Sequence, residues 1–464
     1  MLAATLSGHP AAADPSTVGG DGYVHVAPNG VVLGVDPYYP KDGNGGYDVE
    51  DYTLALDYDP YYLALHGKAT VKAVTTQQLS RFNLDLRGFT VRSVTVDGKP
   101  AAFARAGEHE LVITPASTLA RGAGFTVEVA YAGRPRPLDT ARGRTGWQAT
   151  AGGPAVAAGM PHSAMTWFPV NGTEADKATL HVAATVPLGW SVVGNGIPES
   201  DVPCGGRHTV TWAEETPTAP NSAMLGIGRW QVDTRALPGG VTVVNAYAPG
   251  ASGKRELGDR LPEVLTFLSG VLGDYPQSAA GGLFLDTRPG YTHPAQTRPV
   301  YGSAAGIADL VYASAFQWWG DSVSIKMWRD VLLPESFARY AVWLWDEAKG
   351  GASLDERYRA MVARADAGFW SRKLTDPGRN AEFAPTAKAV LMVHALRRTL
   401  GDDVFLQVLS GFPMINPQGN QNWHDFELYV AAVAQLDLTE FYHAWLDGTT
   451  IPSDEFLYPG TLSP

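Results

Sequence analysis

Short runs of alternating hydrophobic and polar residues fill the first half of the chain. Residues 52–58 and 125–131 largely alternate between bulky apolar side chains and small or polar ones, which is the period of a half-buried β-strand. The turn sequence Asp97-Gly98-Lys99-Pro100 separates two such runs and favours an antiparallel hairpin. The pattern up to residue 236 therefore predicts an antiparallel β-domain.

A helical period replaces this alternation after about residue 238. Apolar residues recur at helical spacing in residues 260–272, 304–319, 336–348, 386–400 and 426–445, so each segment is predicted to form a helix. Gly350 and Gly401 follow two of these segments and are typical of helix ends. We therefore expect an α+β multidomain protein. Its parts would be a disordered lead-in at 1–30, a β-domain at 31–236 and an α-rich domain at 237–464.

Composition excludes several classes of partner. The chain of 464 residues has a formal net charge of -12, whereas proteins that bind nucleic acid need a basic face. No run of 18 or more apolar residues is present, so we expect no membrane-spanning helix and no membrane partner. Residues 1–20 contain no Lys or Arg before an apolar core, unlike a complete signal peptide. The sequence as written suggests the cytoplasm, and a truncated start would suggest secretion.

Several segments, in the same order along the chain, resemble M1-family zinc aminopeptidases of the short bacterial type. The most specific is Gln317-Trp318-Trp319-Gly320-Asp321-Ser322-Val323, which is followed by Glu335-Ser336-Phe337-Ala338. Weaker matches lie at residues 36–40, 43–50, 166–169, 176–178, 296–299 and 328–330. The resemblance implies an N-terminal β-domain followed by a thermolysin-like, mostly helical domain, in agreement with the periodicity.

Members of this family bind zinc through His-Glu-x-x-His on a helix and a glutamate further along the chain. The two histidines share one helix face and hold the metal, and the glutamate beside the first acts as a base on the bound water. Here the histidine positions are Tyr312 and Phe316, the base position is Ala313, and only the third ligand, Glu335, remains. Neither a phenol nor a phenyl ring replaces imidazole as a zinc ligand. The comparison with the family pattern therefore predicts no zinc and no other cofactor.

Other positions that the family uses differ as well. The glutamate that grips a substrate amino terminus falls at Pro294, the oxyanion-stabilising tyrosine near Thr386, and a cleft glutamine at Met160. The eleven histidines include no pair three or four residues apart, so no local motif replaces the metal site. We therefore expect a homologue that is not a working peptidase.

The same substitutions predict an aromatic, apolar cleft. Its lining would consist of Tyr291, Pro294, Ala313, Phe316, Trp319, Thr386 and Met160. The candidate catalytic groups are Glu335, Tyr312 and His293, with His162 as a weaker candidate. A buried Glu335 without its cation should be protonated or hydrogen-bonded, for example to the Tyr312 hydroxyl. It could instead act as a general acid in new chemistry or pair with an arginine.

Two classes of function fit these residues. In the first, the cleft binds a peptide-like ligand, a hydrophobic small molecule or a protein partner without cleaving it. In the second, a repurposed metal-free enzyme cyclises or isomerises a hydrophobic metabolite there. An atypical M1 aminopeptidase is a further alternative. Tightly packed aromatic side chains would favour the first class, and an open cavity with Glu335 exposed would favour the second.

Overall fold

The structure, a computed structural model, describes residues 36–140, 143–287 and 292–464. The lead-in predicted at 1–30 lies outside these residues. The described chain forms a β-rich first half and a largely helical second half, which share one hydrophobic core. The α+β class expected from the periodicity is therefore confirmed. Within the described ranges, no helix is long and apolar enough to cross a membrane.

The first half consists of three sheets. Its strands are β1 (Tyr47–Asp59), β2 (Ala64–Thr75), β3 (Phe82–Asp85), β4 (Phe89–Val96), β5 (Lys99–Pro100), β6 (Ala102–Ala106), β7 (Glu110–Thr114), β8 (Gly124–Gly133), β9 (Leu138–Thr140), β10 (Gly143–Ala149), β11 (Ala155–Ala158), β12 (Ala178–Pro187), β13 (Ser191–Gly194), β14 (Ile197–Cys204), β15 (Arg207–Thr218) and β16 (Leu225–Gly228). The largest sheet has the order β14-β15-β12-β1-β2-β8-β4-β5. The smaller sheets are β13-β16-β11-β10-β9 and β3-β7-β6.

The large sheet is antiparallel except at one central pair. Strands β1 and β12 run parallel, with Asp51 beside Thr179. Alternation of apolar and polar residues fixes the face that each side chain takes but not the strand direction, so the sequence predicted the strands without this pairing. The turn between β4 and β5 has positive φ at both Asp97 and Gly98, as a type I′ hairpin turn requires.

The second half begins with a four-stranded sheet. It contains β17 (Gln231–Ala236), β18 (Thr242–Tyr247), β19 (Ala279–Phe284) and β20 (Val300–Tyr301), while β21 (Ser324–Ile325) pairs with β22 (Asn420–Gln421). Strands β17 and β18 form an antiparallel hairpin. This hairpin crosses the boundary predicted between residues 236 and 237, so the sheet of the second half begins at Gln231.

The helices follow the predicted pattern with one clear exception. They are α1 (Arg255–Asp259), α2 (Leu261–Leu272), α3 (Ile307–Ala315), α4 (Leu332–Ala348), α5 (Leu354–Val362), α6 (Ala367–Trp370), α7 (Thr386–Leu400), α8 (Asp402–Ile415), α9 (Trp423–Ala434), α10 (Thr439–Tyr442) and α11 (Asp454–Leu457). The prediction of a single helix at 426–445 is wrong, because two helices, α9 and α10, occupy this range. Gln435 adopts a left-handed φ of 54°, and the Asp437 carboxylate caps the Thr439 N–H at 3.0 Å, which ends α9 and starts α10.

A buried arginine joins the two halves. Arg298, which is fully buried, donates hydrogen bonds to the carbonyls of Gly196 at 2.6 Å and Val244 at 2.8 Å. It also donates to the carbonyls of Gly194 and Ala280. Burial lowers its pKa to about 10, so the guanidinium stays charged at neutral pH and its charge is shared among four backbone oxygens. Arg298 therefore connects the sheets of the two halves.

We predict that Arg298→Lys lowers the free energy of unfolding by about 3 kcal/mol, because an ammonium group cannot reach several carbonyls in a planar fork. Urea unfolding measures the loss. Arg121→Lys, at an exposed arginine, is the matched control and should leave stability unchanged. Equal stability of the two variants would contradict this role of Arg298.

Candidate functional site

Helices α3 and α4 carry the positions at which the resembled family binds zinc. Tyr312 lies on α3 and Phe316 is its C-cap residue, and their ring centroids are 5.9 Å apart. Glu335 lies in the first turn of α4. All three side chains are buried, and Glu335 is 0% exposed. The structure therefore brings the three predicted residues together, but away from solvent.

Both carboxylate oxygens of Glu335 have partners. The Tyr312 hydroxyl donates to Oε1 at 2.8 Å, and Nε of Arg339 donates to Oε2 at 2.9 Å. The Arg339 guanidinium also lies over the Tyr312 ring, 4.4 Å from its centroid, within the range of a cation–π contact. The charge of Glu335 raises the pKa of Arg339 above its usual value. The three side chains, hereafter the Glu335 triad, thus satisfy one another.

The Glu335 triad does not fit a zinc ion. A catalytic zinc needs three protein ligands with available lone pairs and an open fourth position. Phe316 offers no lone pair, and the Tyr312 hydroxyl uses its proton on Glu335. The Arg339 cation, whose side chain is 41% exposed, would repel a divalent ion beside the same carboxylate. Chemistry through a metal at this position is therefore not supported by these residues.

The neighbouring predicted cleft residues pack into the core. Phe316 lies against the backbone of Gly320, where a Cβ atom would stand 2.1 Å from the Phe316 ring, so only glycine fits there. Trp319 is fully buried and stacks on Phe337 with 4.1 Å between ring centroids. Ala313 is also fully buried. Trp319 therefore stabilises the helical core and does not form a cleft wall.

The remaining predicted cleft residues take no part in the hydrogen bonds of the Glu335 triad. Met160 and Pro294 are buried. Thr386 is half-buried at the start of α7 and donates from its hydroxyl to the Phe383 carbonyl at 2.6 Å. Tyr291 lies outside the described residues. The hydroxyl of Thr386 thus forms a local hydrogen bond at the start of α7.

His293 lies in the wall of a separate cavity. Its backbone pairs with Val300 through hydrogen bonds of 3.0 and 2.8 Å, and its side chain is buried. The cavity has a volume of about 640 Å³ and is lined by residues of both halves: Pro137, Arg144, Gln148, Ala149, Thr150, Pro154, Val156, Ala158, Gly159, Leu285, Asp286, Thr287, His293 and Val300. We call it the His293 cavity. Its described lining does not include the Glu335 triad.

His162 borders a smaller cavity of about 310 Å³. Its Nδ1 contacts a carboxylate oxygen of Asp42, and its ring makes an edge-to-face contact with Tyr39, with ring centroids 4.5 Å apart. Tyr39 in turn donates to Glu382. These contacts occupy the imidazole with the packing of the N-terminal segment, as expected for a structural histidine.

Arg339 is the residue at the site that the sequence analysis did not name. Its signal was present, because a glutamate and an arginine four residues apart on a helix lie on the same face. Glu335 and Arg339 have this spacing on α4. The structure therefore forms two of the arrangements expected for Glu335, the hydrogen bond from the Tyr312 hydroxyl and the pairing with an arginine.

Comparisons with known proteins identify the fold. The sequence profile described as Peptidase family M1 domain matches residues 310–445. The structure is similar to that of an M1 zinc metallopeptidase mutant from Deinococcus radiodurans, solved bound to a Tyr-Ser-Ala substrate. The TM-score is 0.83 at 26% sequence identity, over 90% of this chain and 98% of that one.

Two curated aminopeptidases are also similar to the chain in sequence. Probable aminopeptidase 1 of Sulfurisphaera tokodaii is 22% identical over 433 residues, which are 84% of this chain and 52% of the relative. Aminopeptidase N of Lactococcus lactis subsp. cremoris is 27% identical over 156 residues, or 31% of this chain and 18% of the relative. The chain thus spans about half the length of the first relative and a smaller part of the second. It is homologous to M1 aminopeptidases and has their two-domain fold.

Proposed function

We propose that this M1 aminopeptidase homologue does not cleave peptides and instead binds a peptide-like ligand in the His293 cavity. The observation that carries the proposal is the Glu335 triad. Its carboxylate is fully buried and bonded to Tyr312 and Arg339, at the position where relatives would need a zinc ligand. A group engaged in this way is a structural element of the core.

The residue types at the neighbouring positions support the same conclusion. Hydrolysis of a peptide needs an activated water and a base that accepts its proton. Ala313 stands at the base position and carries no titratable group. The Glu335 carboxylate is fully buried and paired with Tyr312 and Arg339, so it is not placed to take a proton from a solvent water. A water near this helix would therefore not be activated.

The His293 cavity suits a short peptide. Its volume of about 640 Å³ lies within the range of small-ligand pockets. Val156 and Leu285 supply apolar lining, and Arg144 and Asp286 supply opposite charges that complement the carboxylate and amine of a peptide. The relative from Deinococcus radiodurans was solved with Tyr-Ser-Ala, which recommends the same tripeptide as a probe.

The alternative of a metal-free enzyme has less support. It predicted an open cavity with Glu335 exposed inside, whereas Glu335 is 0% exposed. Among the described lining residues, His293 and Asp286 are the groups that such an enzyme would use for proton transfer near neutral pH. A hydrophobic small molecule, or the end of a protein partner, would occupy the same space as the peptide and would compete with it.

We predict that Tyr-Ser-Ala binds and is recovered intact. Isothermal titration calorimetry measures the affinity, and mass spectrometry of the same sample after prolonged incubation measures cleavage. Val156→Trp fills the cavity from β11 and should weaken binding at least ~10-fold, because the added ring occupies ligand volume.

Val202→Trp is the matched control, since Val202 is exposed on β14. It should bind the peptide as the wild type does. Cleavage of the peptide would restore an aminopeptidase and refute the proposal. Equal affinity of the Val156→Trp and wild-type proteins would place the ligand elsewhere and refute the assigned site.

We also predict energetic coupling between Glu335 and Arg339. Arg339→Gln should lower the free energy of unfolding by about 2 kcal/mol, because it leaves a buried carboxylate without its cation. Half-exposure of Arg339 moderates the loss through solvent screening. In the Glu335→Gln background the same change should cost much less.

A double-mutant cycle by urea unfolding measures this coupling, with an expected value of about 1 to 2 kcal/mol. Additive effects of the two substitutions would mean that the ion pair does not stabilise the fold. The proposal would then lose its structural basis at Glu335.

A further inference from the structure

A second group of ionisable residues lies in the first half, far from the Glu335 triad in the chain. Asp85 ends β3, Glu110 begins β7, and His109 precedes it. Each offers a ligand atom, and these atoms lie within 4.8 Å of one another. Their exposures are 0% for Asp85, 9% for His109 and 1% for Glu110. The cluster is therefore enclosed by protein.

Strand pairing forces the two carboxyl groups together. Asp85 and Glu110 are direct partners in the antiparallel pair of β3 and β7, and like charges at such positions destabilise a sheet. Burial and the charge of Asp85 raise the pKa of Glu110 to about 9. Burial likewise raises the pKa of Asp85 to about 6, against the lowering effect of His109. The pairing of β3 with β7 thus buries two carboxyl groups side by side.

The two carboxyl groups differ in their hydrogen bonds. Asp85 accepts the backbone N–H groups of Gly43 at 2.8 Å and Gly172 at 3.0 Å. Neither oxygen of Glu110 has a hydrogen-bond partner within the described part of the chain, although the Asn83 amide is near enough to lower its pKa. A buried carboxyl group without partners is costly. Glu110 therefore has the full ligating capacity of its oxygens available.

The nearby Arg105 does not provide the partner that the Glu110 carboxyl group lacks. Arg105 is the arginine whose charge acts on Glu110, and its effect is smaller than that of Asp85. Its guanidinium donates to the Leu86 carbonyl. The positive charge is thus directed to a backbone oxygen of the neighbouring segment.

His109 is hydrogen-bonded to a backbone carbonyl. Its Nε2 lies 2.6 Å from the Lys41 carbonyl oxygen. A carbonyl only accepts hydrogen bonds, so Nε2 carries the proton, and in the neutral ring the lone pair is then on Nδ1. An imidazole whose second nitrogen is fixed by a backbone carbonyl is the usual arrangement around protein metal sites. Asp42 adds a further carboxylate, with 3.6 Å between its Oδ1 and Nε2.

We propose that Asp85, His109 and Glu110 form a structural site for a divalent first-row transition metal, with Zn²⁺ as its reference ion. One imidazole and two carboxylates are donors that suit Zn²⁺, whereas Ca²⁺ and Mg²⁺ prefer oxygen ligands alone. Its two positive charges neutralise the two carboxylates. Ligands at ~2.1 Å from one zinc are ~3.4 Å apart, so the ion would draw the three groups closer together.

The site would support the contact between the two halves. The segment that precedes Gly43 reaches the second half through Asp36, whose carboxylate accepts the Trp328 N–H at 2.6 Å, and through Tyr38, which donates to Asp376. The same segment is anchored to the cluster by the bond from Gly43 to Asp85. The metal would thus stabilise the base of this segment, which is a role independent of the proposed peptide binding.

Calorimetric titration of chelator-treated protein tests the site. We expect one equivalent of Zn²⁺ to bind, while Ca²⁺ and Mg²⁺ do not bind at comparable concentrations. Saturating Zn²⁺ should raise the melting temperature by ~2 °C or more, because the ion binds the folded state. His109→Gln and Glu110→Gln should each abolish this equivalent. His66→Gln, at an exposed histidine of β2, is the control and should retain it.

Two results would overturn the proposal: no zinc bound by the wild type, or an unchanged zinc equivalent in both cluster variants. Glu335→Gln separates this site from the peptidase position. Retention of the zinc equivalent in that variant supports the cluster. Its loss there would place the metal at Glu335 and refute the proposed function as well.

Discussion

The buried carboxylate of Glu335 is the constraint on which the rest of the site depends. A charge without solvent must be neutralised or paired, because an unpaired ion in the interior costs several kcal/mol. A metal would satisfy that requirement in a zinc peptidase. Here the guanidinium of Arg339 and the hydroxyl of Tyr312 do so within hydrogen-bond distance. Once they are in place, the neighbouring positions need no polar groups, and Phe316 and Ala313 pack as ordinary core residues.

The framework around this position is maintained by other buried polar contacts. Arg298 joins carbonyl groups of both halves, and Lys177 donates to the carbonyls of Asp321 and Ser322 at 2.8 and 2.9 Å. None of these contacts requires a metal or a catalytic base. The fold and the chemistry of an M1-type chain are thus separable, and a cavity can persist between the halves while the residues beside it change.

Periodicity predicted the class of the fold and most of its helices. Helix α7 spans the predicted residues 386–400. Two features that periodicity did not predict depend on long-range packing. They are the parallel direction of β1 against β12 and the membership of β17 in the four-stranded sheet of the second half. The break at Gln435 was missed because apolar spacing continues across it. Local backbone conformation, which the spacing does not encode, decides where that helix ends.

The site was predicted in part for the same reason. Tyr312, Phe316 and Glu335 are placed together by a resemblance between motifs, while Arg339 required helix spacing that the motif does not include. His293 lines a cavity whose described lining does not include Glu335, and Trp319 does not line it, because its ring stacks on Phe337. Asp85, His109 and Glu110 were invisible as a cluster, since only the pairing of β3 with β7 brings Asp85 to the other two.

We expect that zinc does not bind beside Glu335. The most direct measurement is an anomalous difference map, collected at the zinc absorption edge from crystals grown with excess zinc. We predict no peak between Tyr312 and Glu335, and the guanidinium of Arg339 within hydrogen-bond distance of the carboxylate. A peak within coordination distance of Glu335, with Arg339 displaced, would contradict it.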